Sequence, residues 1–74
     1  MGQLEDTADE LAQLALKDEA RTGDDRVIAE VSEILGSSSQ TLQEAFNTAI
    51  RVRRAEARAR KLLADRAKEA GGGQ

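Results

Sequence analysis

The chain has no cysteine, histidine, proline, tyrosine or tryptophan, and Phe46 is its only aromatic residue. Each absence removes an explanation. Without cysteine there is no disulfide framework, and without cysteine and histidine together there is no zinc site of the usual ligands. The same two absences remove the imidazole and the thiolate as catalytic base and nucleophile. Nucleic-acid bases would find no interleaved aromatic rings to stack on. No apolar run approaches the roughly 20 residues of a membrane span. The N-terminus lacks the apolar segment of a secretory signal, and Met1-Gly2 is followed by Asp6 where a myristoylation start wants serine or threonine. The expectation is a cytoplasmic, non-enzymatic protein with no cofactor, no metal, no small-molecule substrate and no membrane partner.

What the chain does have is charge, unevenly placed. Residues 1–50 carry eleven acids against Lys17, Arg21 and Arg26, a net of −8. Residues 51–74 carry eight bases against Glu56, Asp65 and Glu69, a net of +5. Such a division between halves signals a charged tail with a partner, or an acidic half folding back on a basic one in the same chain or its twin. At 74 residues the chain is one small domain at most. A domain of that size buries little surface and often relies on a second chain.

Apolar spacing predicts three helices. In Gln3–Ala20, Leu4, Ala8, Leu11 and Ala15 recur on one face, with Ala12 and Leu14 alongside. Asp18 and Glu19 would fall on that apolar side, which predicts an end near residue 17. Thr7 with Glu10 fits a capping box, although Leu4 allows an earlier start. Gly23 permits the left-handed backbone that ends helices, and Asp24 or Asp25 can cap the next one. The second helix, residues 25–35, has the cleanest stripe: Val27, Ile28, Val31, Ile34 and Leu35. Gly36 is expected to stop it. Ser37–Gln40 and Thr41–Glu44 each match a capping box for a long third helix, residues 38–70, closed by Gly71–Gly73.

That third helix joins two different surfaces. From Leu42 to Val52 one side is apolar, with Phe46, Ala49 and Ile50. From Arg51 to Lys68 basic residues lie all round, six arginines to two lysines. At 1.5 Å per residue the helix measures roughly 50 Å, whereas a compact domain of this length is about 30 Å across. Its second half therefore overhangs, and it either projects into water or lies against another molecule. Arginine's planar fork suits carboxylates and phosphates alike, while the simplest reading is a solvated face with weak pairs such as Glu56–Arg60. The adjacent acid pairs, for example Asp9-Glu10, diverge on a helix and do not converge as a catalytic dyad. Ser37–Ser39 read most simply as a helix cap and functionally as an anion contact at a helix start; both can hold at once.

Residues 24–63, DDRVIAEVSEILGSSSQTLQEAFNTAIRVRRAEARARKLL, resemble VapB-type antitoxins of the ribbon-helix-helix class. The resemblance rests on Asp24-Asp25 opening a short amphipathic helix, Leu35-Gly36 followed by Ser37–Ser39, and a second helix running into Arg51–Arg54. It implies an intertwined dimer, binding to operator DNA, and neutralisation of an acidic-site nuclease toxin by the C-terminal tail. Carried over by position, Ser37, Ser38 and Ser39 would lie near DNA phosphates, with Arg21 in the preceding segment. Arg53, Arg54, Arg58, Arg60 and Lys61 would face the toxin. The resemblance also implies a strand within Lys17–Gly23, a segment without alternating β-branched residues.

The resulting expectation is an all-α protein assembling as a homodimer, with a ribbon-helix-helix dimer bearing a short strand near residues 17–23 as the alternative. Residues 1–23 form an acidic helix and turn, 24–52 a dimerisation core, 53–70 a basic helical extension and 71–74 a glycine tail. The dimer core is assigned to Val27, Ile28, Val31, Ile34, Leu35, Leu42, Phe46, Ala49 and Ile50. Two functions fit: an antitoxin-like transcription regulator that holds an acidic protein partner through its basic helix and also binds DNA, or a helical scaffold module with no nucleic-acid role.

Overall fold

A computed structural model describes residues 2–72, with side chains as far as Glu69. These residues form three α-helices, α1 (Gln3–Thr22), α2 (Arg26–Ser38) and α3 (Gln40–Gly72), and no strand is present among them. The chain is all-α, as its periodicity predicts. Lys17–Thr22, where a ribbon strand was the alternative, is the last turn and a half of α1.

α1 begins at Gln3, as expected, with Gly2 as its cap, and the Thr7–Glu10 box is not used. The Glu5 carboxylate accepts the Gly2 N–H at 3.0 Å, and Glu5 and Asp6 place negative charge against the positive end of the helix dipole. The helix also outruns its expected end near residue 17. Asp18 and Glu19, which looked misplaced on an apolar side, are half-buried, and Glu19 meets Arg54 of α3 at 3.1 Å. A charge opposite a cation from another helix does not end a helix. Thr22 Oγ1 donates to the Asp18 carbonyl at 2.9 Å. Gly23, at φ 75°, then supplies the left-handed cap, its N–H donating to Glu19 O at 2.7 Å.

Asp24 rather than Asp25 caps α2 with its side chain: Asp24 Oδ1 accepts the Arg26 N–H at 2.9 Å, and the Arg26 guanidinium donates to both carboxylate oxygens. Gly36 does not stop α2, which continues to Ser38. Its role lies in packing. A Cβ there would overlap the Gln43 amide, and that amide donates to the Ser32 carbonyl at 2.9 Å, joining α2 to α3. The connection is Ser39 alone, whose Oγ accepts the Leu42 N–H at 3.1 Å as the cap of α3. Neither of the two expected capping boxes is used. α3 passes through Gly71 and Gly72; Gly73 and Gln74 of the expected tail lie outside the described residues.

Among the described residues five are buried: Ala8, Ala12 and Ala15 of α1 against Phe46 and Ile50 of α3. Leu11, Ile28, Val31, Leu35, Leu42 and Ala49 pack around them, half-buried. The small alanine faces let α1 approach closely enough to seal Phe46, the one large side chain that is fully buried. Most of the side chains expected at a dimer interface therefore close a core within one chain. The exceptions are Val27, half-buried outside the core cluster, and Ile34, which is 68% exposed. The second stripe is wider than the contact it makes, and Ile34 lies beyond its edge. The unit is flat, 55 × 30 × 13 Å, and its long dimension is set by α3.

Candidate functional site

The basic half of α3 divides at Arg54. Arg53 donates through Nε and Nη2 to the two oxygens of Asp9 at 2.6 and 2.7 Å. This two-pronged geometry is the strongest form of such a pair. It holds the Asp9 carboxyl below the usual carboxylate range, and Asp9 in turn raises Arg53. With Arg54–Glu19, it ties α3 to the acidic front of α1. Arg53 and Arg54, assigned from sequence to a partner protein, are thus engaged inside the chain. A partner would have to displace Asp9 or Glu19 to reach them.

From Ala55 to Glu69 every residue is exposed. Within this projecting segment Arg60 pairs with Glu56 at 2.7 Å and Lys61 with Asp65 at 3.1 Å, both one helical turn away. Such exposed pairs are weak and leave the cations available. Arg58, Arg66 and Lys68 have no ion pair among the described residues. The residues assigned to DNA lie in the last turn of α1 and at the junction of α2 and α3. Arg21 pairs with Asp18 on α1, Ser37 Oγ donates to Ile34 O at 2.7 Å, Ser38 ends α2, and Ser39 caps α3.

Two shallow grooves flank this helix. One, of about 380 Å³, lies where α1 and α3 part, between Gln13, Leu16 and Lys17 on one side and Arg53, Glu56 and Arg60 on the other. The other, of about 480 Å³, runs between Leu4 at the start of α1 and Ala45, Thr48, Ala49 and Val52 of α3. It borders the core, since Ala45 and Ala49 in its wall also pack against the cluster around Phe46. Val52 in its wall is 60% exposed, and farther along α3 Leu62 and Leu63 are 58% and 66% exposed. Apolar spacing in the sequence shows Leu63, Ala64 and Ala67 as a weak return of the stripe, but not which helix face the core leaves bare.

No group of acidic side chains among the described residues is arranged to hold a metal ion, and no helix among them is long and apolar enough to cross a membrane. Sequence reasoning missed Asp9, Glu19 and Gln43 as structural partners. The −8 and +5 division of charge was the one signal that acids and bases would meet. No family model, no curated protein and no solved structure matches the chain.

Proposed function

We propose that the chain is a non-catalytic interaction module that dimerises and offers the projecting helix Ala55–Glu69 to an acidic protein partner. One observation carries this reading: past Arg54, α3 continues as a helix whose every residue to Glu69 is exposed, bearing Arg58, Arg66 and Lys68 without ion pairs among the described residues. A rigid, preformed helix lowers the ordering entropy of capture, and arginine suits a carboxylate cluster.

The antitoxin-like function is the specific form of this reading, with an acidic-site nuclease as the partner and a cytoplasmic location. Its DNA half has less support, because a base-reading ribbon strand has no counterpart in helical Lys17–Thr22. Without that strand, DNA contact reduces to phosphate neutralisation. The test is co-expression with the product of the neighbouring gene, followed by size exclusion of wild type and of Arg58→Glu/Arg60→Glu. Co-elution lost in the variant, with helicity unchanged, supports the partner reading. Undiminished co-elution of the variant sinks it. Titration onto an operator-length duplex decides the DNA half: affinity falling steeply with salt supports it, and no binding at low salt removes it.

A further inference from the structure

We infer that two copies of the chain pair through the outer face of α3, antiparallel, about a twofold axis near Ala57. The inference rests on the proposed homodimer and is independent of the acidic partner.

One apolar face of α3 has no occupant. Val52, Ala55, Ala59 and Leu62 recur at three- and four-residue intervals on the side opposite Phe46, and all are exposed. That spacing is the seam of a two-stranded coiled coil. α1 and α2 cover the other side of α3, so a second helix lying along this seam meets only the start of α1, at Leu4.

The seam complements itself in one direction and one register. With the axis near Ala57, Val52 faces Leu62 of the second copy, Ala55 faces Ala59, and Ala49 faces Leu63, each pair occurring twice. Bulky side chains thereby meet small ones, and the narrow alanine centre allows close approach. On one flank Arg51 comes opposite Asp65 of the second copy, again twice. Asp65 already accepts Lys61, but that exposed pair leaves acceptor positions on the carboxylate. The like-charge contacts are confined to the axis, where Arg58 meets Arg58 and Glu56 meets Glu56; at its two ends the seam closes with Thr48 against Arg66 and Ala45 against Glu69.

Other arrangements are worse. Moving the register by one heptad toward the N-terminus sets Arg51 against Arg58 and Glu44 against Asp65, both repulsive and both doubled. Moving it the other way sets Val52 against Glu69. Parallel pairing stacks Arg66 on Arg66 and Glu69 on Glu69 within the seam, and it leaves both projecting segments without backing. Antiparallel pairing instead lays each projecting segment on the supported half of its twin. Leu62 and Leu63 of one copy then approach the 480 Å³ groove that Leu4, Ala49 and Val52 form in the other.

The test combines mass and direction. Sedimentation of the full chain at micromolar concentration should give two chains per particle. Val52→Asp/Leu62→Asp, two changes at exposed positions, should weaken association by at least about tenfold while helicity is retained, since each would bury an unpaired charge. Arg51→Asp alone should weaken it, and adding Asp65→Arg should restore it. Because the chain lacks cysteine, spin labels can be placed at Arg58→Cys or at Lys68→Cys. Antiparallel pairing predicts a short distance between the labels at position 58 and, at 1.5 Å per residue, roughly 30 Å at position 68. A monomer overturns both the homodimer and this inference. A dimer with equal label distances at the two positions, or one indifferent to Val52→Asp/Leu62→Asp, overturns the antiparallel seam and leaves the homodimer standing.

Discussion

Arg53 on α3 grips Asp9 on α1 with two parallel hydrogen bonds, Nε to Oδ1 at 2.6 Å and Nη2 to Oδ2 at 2.7 Å. The two residues are 44 positions apart, and their pairing fixes how the first helix lies across the third. The pair is partly exposed, at 32% and 42% of the two side chains, so its contribution is modest and screened by salt.

Its pH dependence follows from the sign of the shift. The Arg53 hydrogen bonds lower the Asp9 carboxyl in the folded chain. The stabilisation is therefore complete above the unfolded carboxylate value of about 4 and disappears as pH falls through the lower native value. Asp9→Asn should lower the melting temperature slightly at pH 7, and the difference from wild type should shrink toward zero near pH 2. A difference that stays constant across a melting series from pH 7 to pH 2 would contradict the assignment.

Val31 and Ile34 separate the core from the bare edge of α2. Val31→Asp places a charge among Ile28, Leu35 and the alanines of α1 and should unfold the chain. Ile34→Asp alters a side chain that is 68% exposed and should leave the helical circular-dichroism signal within a few degrees of the wild-type melt. Equal damage from both would place Ile34 in an interface that the single chain does not contain.

Phe46 is fully buried and alone in its size class. Phe46→Ala should cost about 3–5 kcal/mol, a large share of the stability available to a domain this small. Urea denaturation should find the variant mostly unfolded or far weaker than wild type. A loss below about 1 kcal/mol would mean that the three alanines of α1 do not close over the ring.

Gly23 holds φ at 75°, and a Cβ added there would meet nothing within 4 Å, so the constraint is backbone conformation and not space. Gly23→Ala should cost roughly 1–2 kcal/mol, measured as a shift in urea midpoint. The Gly36→Ala change has the opposite origin: the helix gains propensity, but Gln43 must swing away and release Ser32. Its net effect should be smaller than that of Gly23→Ala.

The sequence by itself determined the number and type of the elements. Alternation at three and four residues in Leu4–Ala15, Val27–Leu35 and Leu42–Ile50 admits little but helix, and Gly23 marks its turn by a conformation that other residues resist. It also determined that α3 outreaches its domain, because length and rise alone require it. Tertiary structure decided where the helices end and what their charges do. Glu19 argues for an end to α1 only while Arg54 is unknown, and Gly36 argues for an end to α2 only while Gln43 is unknown. Likewise Arg53 and Arg58 are equivalent in sequence, yet one is held by Asp9 and the other projects beyond the core. The physical reason is range: helix propensity and periodicity act within a few residues, whereas an ion pair across 44 positions exists only once the chain has folded.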